Sequence, residues 1–123
     1  LPISHVVYKA SGAHSLFLEL AQKPLPHIIF MDINMPQTNG IDCLRRLKND
    51  PQYNNIPVLM YSISNRDTDI DDSYRAGAHY YVVKAHVPAN LPASLRKALM
   101  PDWREPQPLP KRDGFVIDLT YGN

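Results

Sequence analysis

The run Ile28-Ile29-Phe30-Met31-Asp32-Ile33-Asn34-Met35-Pro36 decides the reading of the fold. Four apolar residues lead straight into one carboxylate, and the loop that follows ends at Pro36. A short continuous apolar run bounded by a turn predicts a strand buried on both faces. In an open parallel sheet, ligand chemistry gathers at the carboxyl ends of the strands. Asp32 therefore stands where a carboxylate is useful.

The flanking sequence alternates between strand and helix patterns. Residues 5–8 form a first candidate strand. Ser11 is placed to cap a helix whose apolar residues Leu16, Phe17 and Leu20 recur at helical spacing, and Pro24 and Pro26 end it. After the Asp32 strand, Gly40 opens a helix with Ile41, Leu44 and Leu47 on one face and Arg45, Arg46 and Lys48 turned outward as a solvated face, stopped by Asp50-Pro51. Residues 56–61 form the third strand, with Pro57 tolerated at its start. A polar helix over 67–76 ends at Gly77. Residues 80–83 form the fourth strand, and Asn90 caps a last helix to residue 100, with Pro92 in its first turn. This alternation predicts an α/β domain with a parallel central sheet and right-handed crossovers. It occupies residues 1–100. Pro101, Pro106, Pro108 and Pro110 make 101–113 a semi-rigid linker, and 114–123 is a strand-like tail.

Composition narrows the class. With 123 residues, 44% of them apolar and 20% charged, the chain suits one soluble domain with a genuine core. A net charge of +1 argues against bulk attraction to nucleic acid or anionic membrane. No apolar stretch approaches the roughly 20 residues of a membrane span, and no signal-peptide pattern opens the chain. The single Cys43, expected to be buried, excludes an internal disulfide and fits a reducing, cytoplasmic setting. The five histidines lack the paired spacing of a metal site.

Three polar residues close three consecutive strands: Asp32, Ser62 and Lys84. In a parallel sheet those ends lie side by side, so the three can converge on one pocket. A carboxylate can attack a phosphoryl group. A lysine and a hydroxyl nearby would orient and neutralise the equatorial oxygens. A hard cation such as Mg²⁺ would bring an anionic donor to an anionic acceptor, with Asp32 and the Asn34 carbonyl as ligands.

With those residues in view, the chain resembles the receiver domain of two-component response regulators, a CheY-like, flavodoxin-like three-layer sandwich. The resemblance is carried by residues 26–36, by Asn39-Gly40, by residues 56–62, by Gly77-Ala78-His79-Tyr80-Tyr81-Val82-Val83-Lys84, and by the spacing of positions 32, 62 and 84. It covers about residues 5–100. It implies that Asp32 accepts a phosphoryl group from a histidine kinase or phosphotransfer protein, that Ser62 is the switch hydroxyl and that Lys84 pairs with the phosphate. Tyr81 would be the aromatic that reorients, and Asn34 and Ser64 the positions that tune phosphate loss. The implied protein is a stand-alone signalling domain rather than a conventional enzyme, shifting between two packings and binding a downstream partner near Tyr81. The alternatives are a degenerate receiver that binds partners without phosphorylation, and a flavodoxin-like cofactor enzyme, for which no phosphate-cradling loop follows the first strand.

Two departures from the family pattern stand out. The family's Lys-Pro is Lys84-Ala85 here. The family's first strand-helix unit, with its metal-holding acidic pair, has no counterpart and would precede Leu1. In the strand order 2-1-3-4-5, that leaves an empty slot between the strands at 5–8 and 28–31. The apolar segment 115–118, ending in a carboxylate, is the candidate to fill it, within the chain or by strand exchange in a homodimer.

Overall fold

The computed structural model describes residues 7–84 and 101–119. The strand β1 (Val7–Ala10) is followed by helix α1 (Ala13–Gln22) and strand β2 (Ile28–Asp32). A small hairpin comes next, β3 (Asn34–Met35) and β4 (Thr38–Asn39), leading into α2 (Gly40–Lys48). Then follow β5 (Val58–Ser62), α3 (Asp67–Arg75), β6 (Tyr80–Val83), a 3₁₀ turn at Arg112–Gly114 and β7 (Val116–Asp118). The last helix expected from Asn90 and the Lys84-Ala85 step fall outside the described residues.

Five strands form one parallel sheet in the order β1-β2-β5-β6-β7. Successive side chains of the strands point to its two faces, and both faces are buried. Ile29, Met31, Val58, Met60, Tyr81 and Val83 join Leu16, Leu20, Ile41, Leu44, Leu47 and Ile70 in the main core, so α1, α2 and α3 all contribute to the same side. On the other side, Ile28 and Leu59 pack with Trp103, and Val82 packs with Ile117 and Leu119.

The empty slot does not exist in this sheet. Val7 to Ala10 of β1 stand in register with Ile28 to Met31 of β2, so the backbone groups that would have faced a gap hydrogen-bond to each other. The tail strand goes to the opposite edge instead, where Val116, Ile117 and Asp118 pair with Tyr81, Val82 and Val83 of the same chain. This overturns the expectation that 115–118 lies between the first two strands, and it removes the unpaired edge that motivated strand exchange.

Residues 101–119 lie against the body. Trp103 is buried against Ile28 and Leu59. The His79 ring stacks edge-on to it, with centroids 5.3 Å apart, and His79 Nε2 lies 3.0 Å from the Gln107 carbonyl. Tyr74 Oη donates to the Pro110 carbonyl at 3.4 Å, and Arg112 forks onto Asp71 Oδ1 at 2.9 and 3.1 Å.

Local chemistry differs from expectation at three places. The cap of α1 is Gly12 rather than Ser11, without a side-chain hydrogen bond. Lys48 is not a solvated charge: its Nζ donates to the carbonyls of Asn54 and Ile56 at 3.2 and 2.8 Å, and burial lowers its pKa. Its stem lies beside Gly77 while the ammonium tip finds backbone oxygen. The β3–β4 hairpin was not anticipated. It turns through Pro36 and Gln37, the latter at φ 60°.

Candidate functional site

Asp32 closes β2, Ser62 closes β5, and Lys84 directly follows β6. The sheet register puts the three backbones at one end: Asp32 is opposite Tyr61, Ser62 is opposite Val83, and the Lys84 amide donates to the Ser62 carbonyl at 2.8 Å. Lys84 Nζ donates to Asp32 Oδ2 at 3.1 Å. The other carboxylate oxygen, Oδ1, accepts the Asn34 amide at 3.0 Å. The Asp32 side chain is 33% exposed and that of Lys84 25%, so the pair sits at the rim of the core, open to an incoming reactant. The ammonium also lies 4.6 Å from the Tyr61 ring centroid, which favours its charge over the aromatic face.

Helix α2 fixes the height of this carboxylate. The Gly40 amide donates to the Ile33 carbonyl at 2.7 Å, and a Cβ on Gly40 would strike the Asp32 carbonyl oxygen. Only glycine lets the helix start so close to the strand end. Asn39 caps that start, its side-chain oxygen accepting the Ile41 amide at 2.7 Å.

The remaining expected residues form a second cluster beside the first. Ser62 is fully buried, and its Oγ accepts the Ser64 amide at 3.1 Å. Ser64 Oγ donates to Asp69 Oδ2 at 2.7 Å and accepts the Arg66 amide at 3.2 Å. Arg66 Nε binds the same Asp69 oxygen at 3.1 Å. Tyr81, also fully buried, donates from Oη to the Ser64 carbonyl at 2.9 Å. Burial raises the Tyr81 pKa, partly offset by the Ser62 and Ser64 hydroxyls. Ser64 thus joins Ser62, Tyr81 and α3, while the Asn34 side chain is exposed and its amide, not its side chain, touches Asp32.

Sequence reasoning missed Asp69 and Phe115. Asp69 is the third residue of α3, in the same first turn as Asp67, so its place alone did not single it out. Phe115 had no local signal, because its neighbours come from β6 and α3.

Among the described residues, no three His, Cys, Asp or Glu side chains gather as a metal cluster. Asp32 offers a single hard carboxylate, partly open to solvent. A single carboxylate would hold a Mg²⁺ ion only weakly, with most of its ligands supplied by water. Cys43 is buried and its thiol pKa is raised by burial, which makes it an inert core residue.

Asp32, Ser62 and Lys84 thus bring a carboxylate, a hydroxyl and an amine to the carboxyl end of one parallel α/β sheet. Residues 4–96 match the family described as response regulator receiver domain, and the chain belongs to that family. It is 28% identical over 72 residues to chemotaxis protein CheY1 of Helicobacter pylori, covering 58% of each chain. It is 34% identical over 80 residues to protein PilH of Pseudomonas aeruginosa, covering 65% of each. The solved structure of a phosphorylated cyanobacterial phytochrome response regulator, RcpA, superposes with a TM-score of 0.59 at 28% identity, over 63% of this chain and 59% of that one. The chain therefore spans about three-fifths of the length of CheY1 and of RcpA. The fold is flavodoxin-like and CheY-like, as the residues implied.

Proposed function

We propose that this chain is a phospho-accepting receiver, with Asp32 as the acceptor. The single observation that carries this reading is the Lys84 Nζ–Asp32 Oδ2 pair at 3.1 Å, formed between residues on two strand ends. In the proposed step an Asp32 carboxylate oxygen attacks the phosphorus of a phosphohistidine on a kinase or phosphotransfer protein. The new bond is O–P. The P–N bond breaks, and the imidazole nitrogen keeps its electron pair and takes up a proton. Lys84 shifts its hydrogen bond from the carboxylate to an equatorial phosphoryl oxygen and compensates the added charge. Ser62 turns its hydroxyl toward the same group, and Tyr81 responds. A Mg²⁺ ion would be held weakly by Asp32, the Asn34 carbonyl and water, and would supply charge shielding between donor and acceptor. The setting is cytoplasmic, and the output is a downstream protein bound in one packing and not the other.

Phosphorylation with acetyl phosphate and Mg²⁺, followed by intact-mass measurement, tests the reading. A gain of one phosphoryl group that is lost in Asp32→Asn is the expected result. No gain in the natural sequence would favour the alternative, a receiver that acts by binding alone.

A further inference from the structure

The tail that forms β7 touches the buried tyrosine of the site. Phe115, itself fully buried, packs its ring against Tyr81 at 6.5 Å between centroids and edge-on against Tyr74 of α3 at 5.1 Å. The Phe115 carbonyl accepts the Tyr81 amide at 3.1 Å, which starts the β6–β7 ladder, and the Leu119 amide donates to the Val83 carbonyl at 2.8 Å, one residue short of Lys84. On its other side Tyr81 is tied through Oη to Ser64, whose amide rests on Ser62 Oγ. A continuous set of contacts therefore runs from the Ser62 hydroxyl through Ser64 and Tyr81 to Phe115. Beyond Phe115 the segment is held by Arg112 on Asp71, by a ladder of three residue pairs and by Ile117 and Leu119 packed on Val82.

We propose that Phe115 is a positioning residue for Tyr81, and that seating of the 112–119 segment on β6 is coupled to occupancy of Asp32. The coupling rests on the phospho-acceptor reading above. A ligand on Asp32 that recruits the Ser62 hydroxyl disturbs its bond from the Ser64 amide, and with it the carbonyl that holds Tyr81. The packed core does not deform continuously, so a displaced Tyr81 ring unseats Phe115. The short ladder that begins at the Phe115 carbonyl then opens more often. Linkage requires the reverse effect with the same factor: loosening Phe115 favours the occupied site.

The test uses the full chain with beryllium fluoride and Mg²⁺ as a phosphoryl stand-in. Hydrogen exchange of the 116–119 amides and the fluoride adduct's apparent affinity are read on the natural sequence, Phe115→Leu and Asp32→Asn. Occupancy is expected to speed exchange at 116–119 by about fivefold or more, and Phe115→Leu to tighten the adduct by a comparable factor. Tyr81→Leu, which keeps an apolar side chain but removes the hydroxyl and the ring, is expected to abolish both effects while leaving the adduct detectable. A purely structural Phe115 would change global stability without moving the adduct's affinity, and that outcome overturns the proposal. An Asp32-dependent adduct with unchanged exchange at 116–119 overturns the coupling alone. Absence of an Asp32-dependent adduct overturns the coupling together with the acceptor assignment.

Discussion

Lys84 and Asp32 form a pair that is partly open to water, and such pairs contribute about 1 kcal/mol or less to stability. Their placement is better explained by chemistry than by folding. Lys84→Met keeps the stem and removes the charge. It is expected to slow acyl-phosphate formation about a hundredfold while shifting the urea midpoint little, as measured by intact mass over time and by equilibrium unfolding. The positions of the three proposed site residues were legible because each follows a short apolar strand, and strand ends in a parallel sheet lie side by side whatever the loops do. The second cluster was legible only in part. Ser64 and Tyr81 stood out through the family pattern, but Asp69, which anchors Ser64, lies in a helix of mixed polar residues where nothing in the sequence distinguishes it from Asp67, Asp71 or Asp72.

At the scale of elements, the position of α2 against β2 rests on Gly40. Gly40→Ala drives a methyl into the Asp32 backbone, so either the helix or the strand end must move. A cost of about 1–3 kcal/mol is expected in urea unfolding, together with reduced phosphorylation of Asp32, since the carboxylate moves with its strand end. Strand and helix identities followed from periodicity, because buried strands and amphipathic helices differ in where apolar residues recur. The tail was legible as a strand and not as to its position. Residues 114–119 are apolar enough to pair, but their sequence does not name a partner. The edge they take is set by Tyr74, Tyr81 and Phe115, three aromatic rings from three separate elements. The β3–β4 hairpin escaped for a related reason: two-residue strands carry no periodicity.

The whole molecule has two unlike poles. Asp32, Ser62 and Lys84 occupy the carboxyl ends of the strands, whereas His79, at the amino end of β6, meets Trp103 and Gln107. His79 is 8% exposed, and its pKa is lowered by burial, with the Gln107 carbonyl raising it and the Lys48 charge lowering it further. Above the free-imidazole value of 6.5, folded and unfolded chains both carry it neutral. Below that value the unfolded chain binds a proton that the folded chain resists, so stability is present at neutral pH and falls as the pH drops toward the folded pKa. Unfolding midpoints taken between neutral pH and about pH 5 should decline more steeply in the natural sequence than in His79→Gln. The two poles are joined by one stretch of chain: residues 101–119 begin under the amino ends at Trp103 and finish beside the carboxyl ends at Leu119. The single indole of the protein is thus an optical gauge mounted at the far terminal of that stretch. Its emission tracks whether the connecting arm is gripped at its root, and a signal there on loading Asp32 would have to be relayed along the arm or through the sheet from the opposite end.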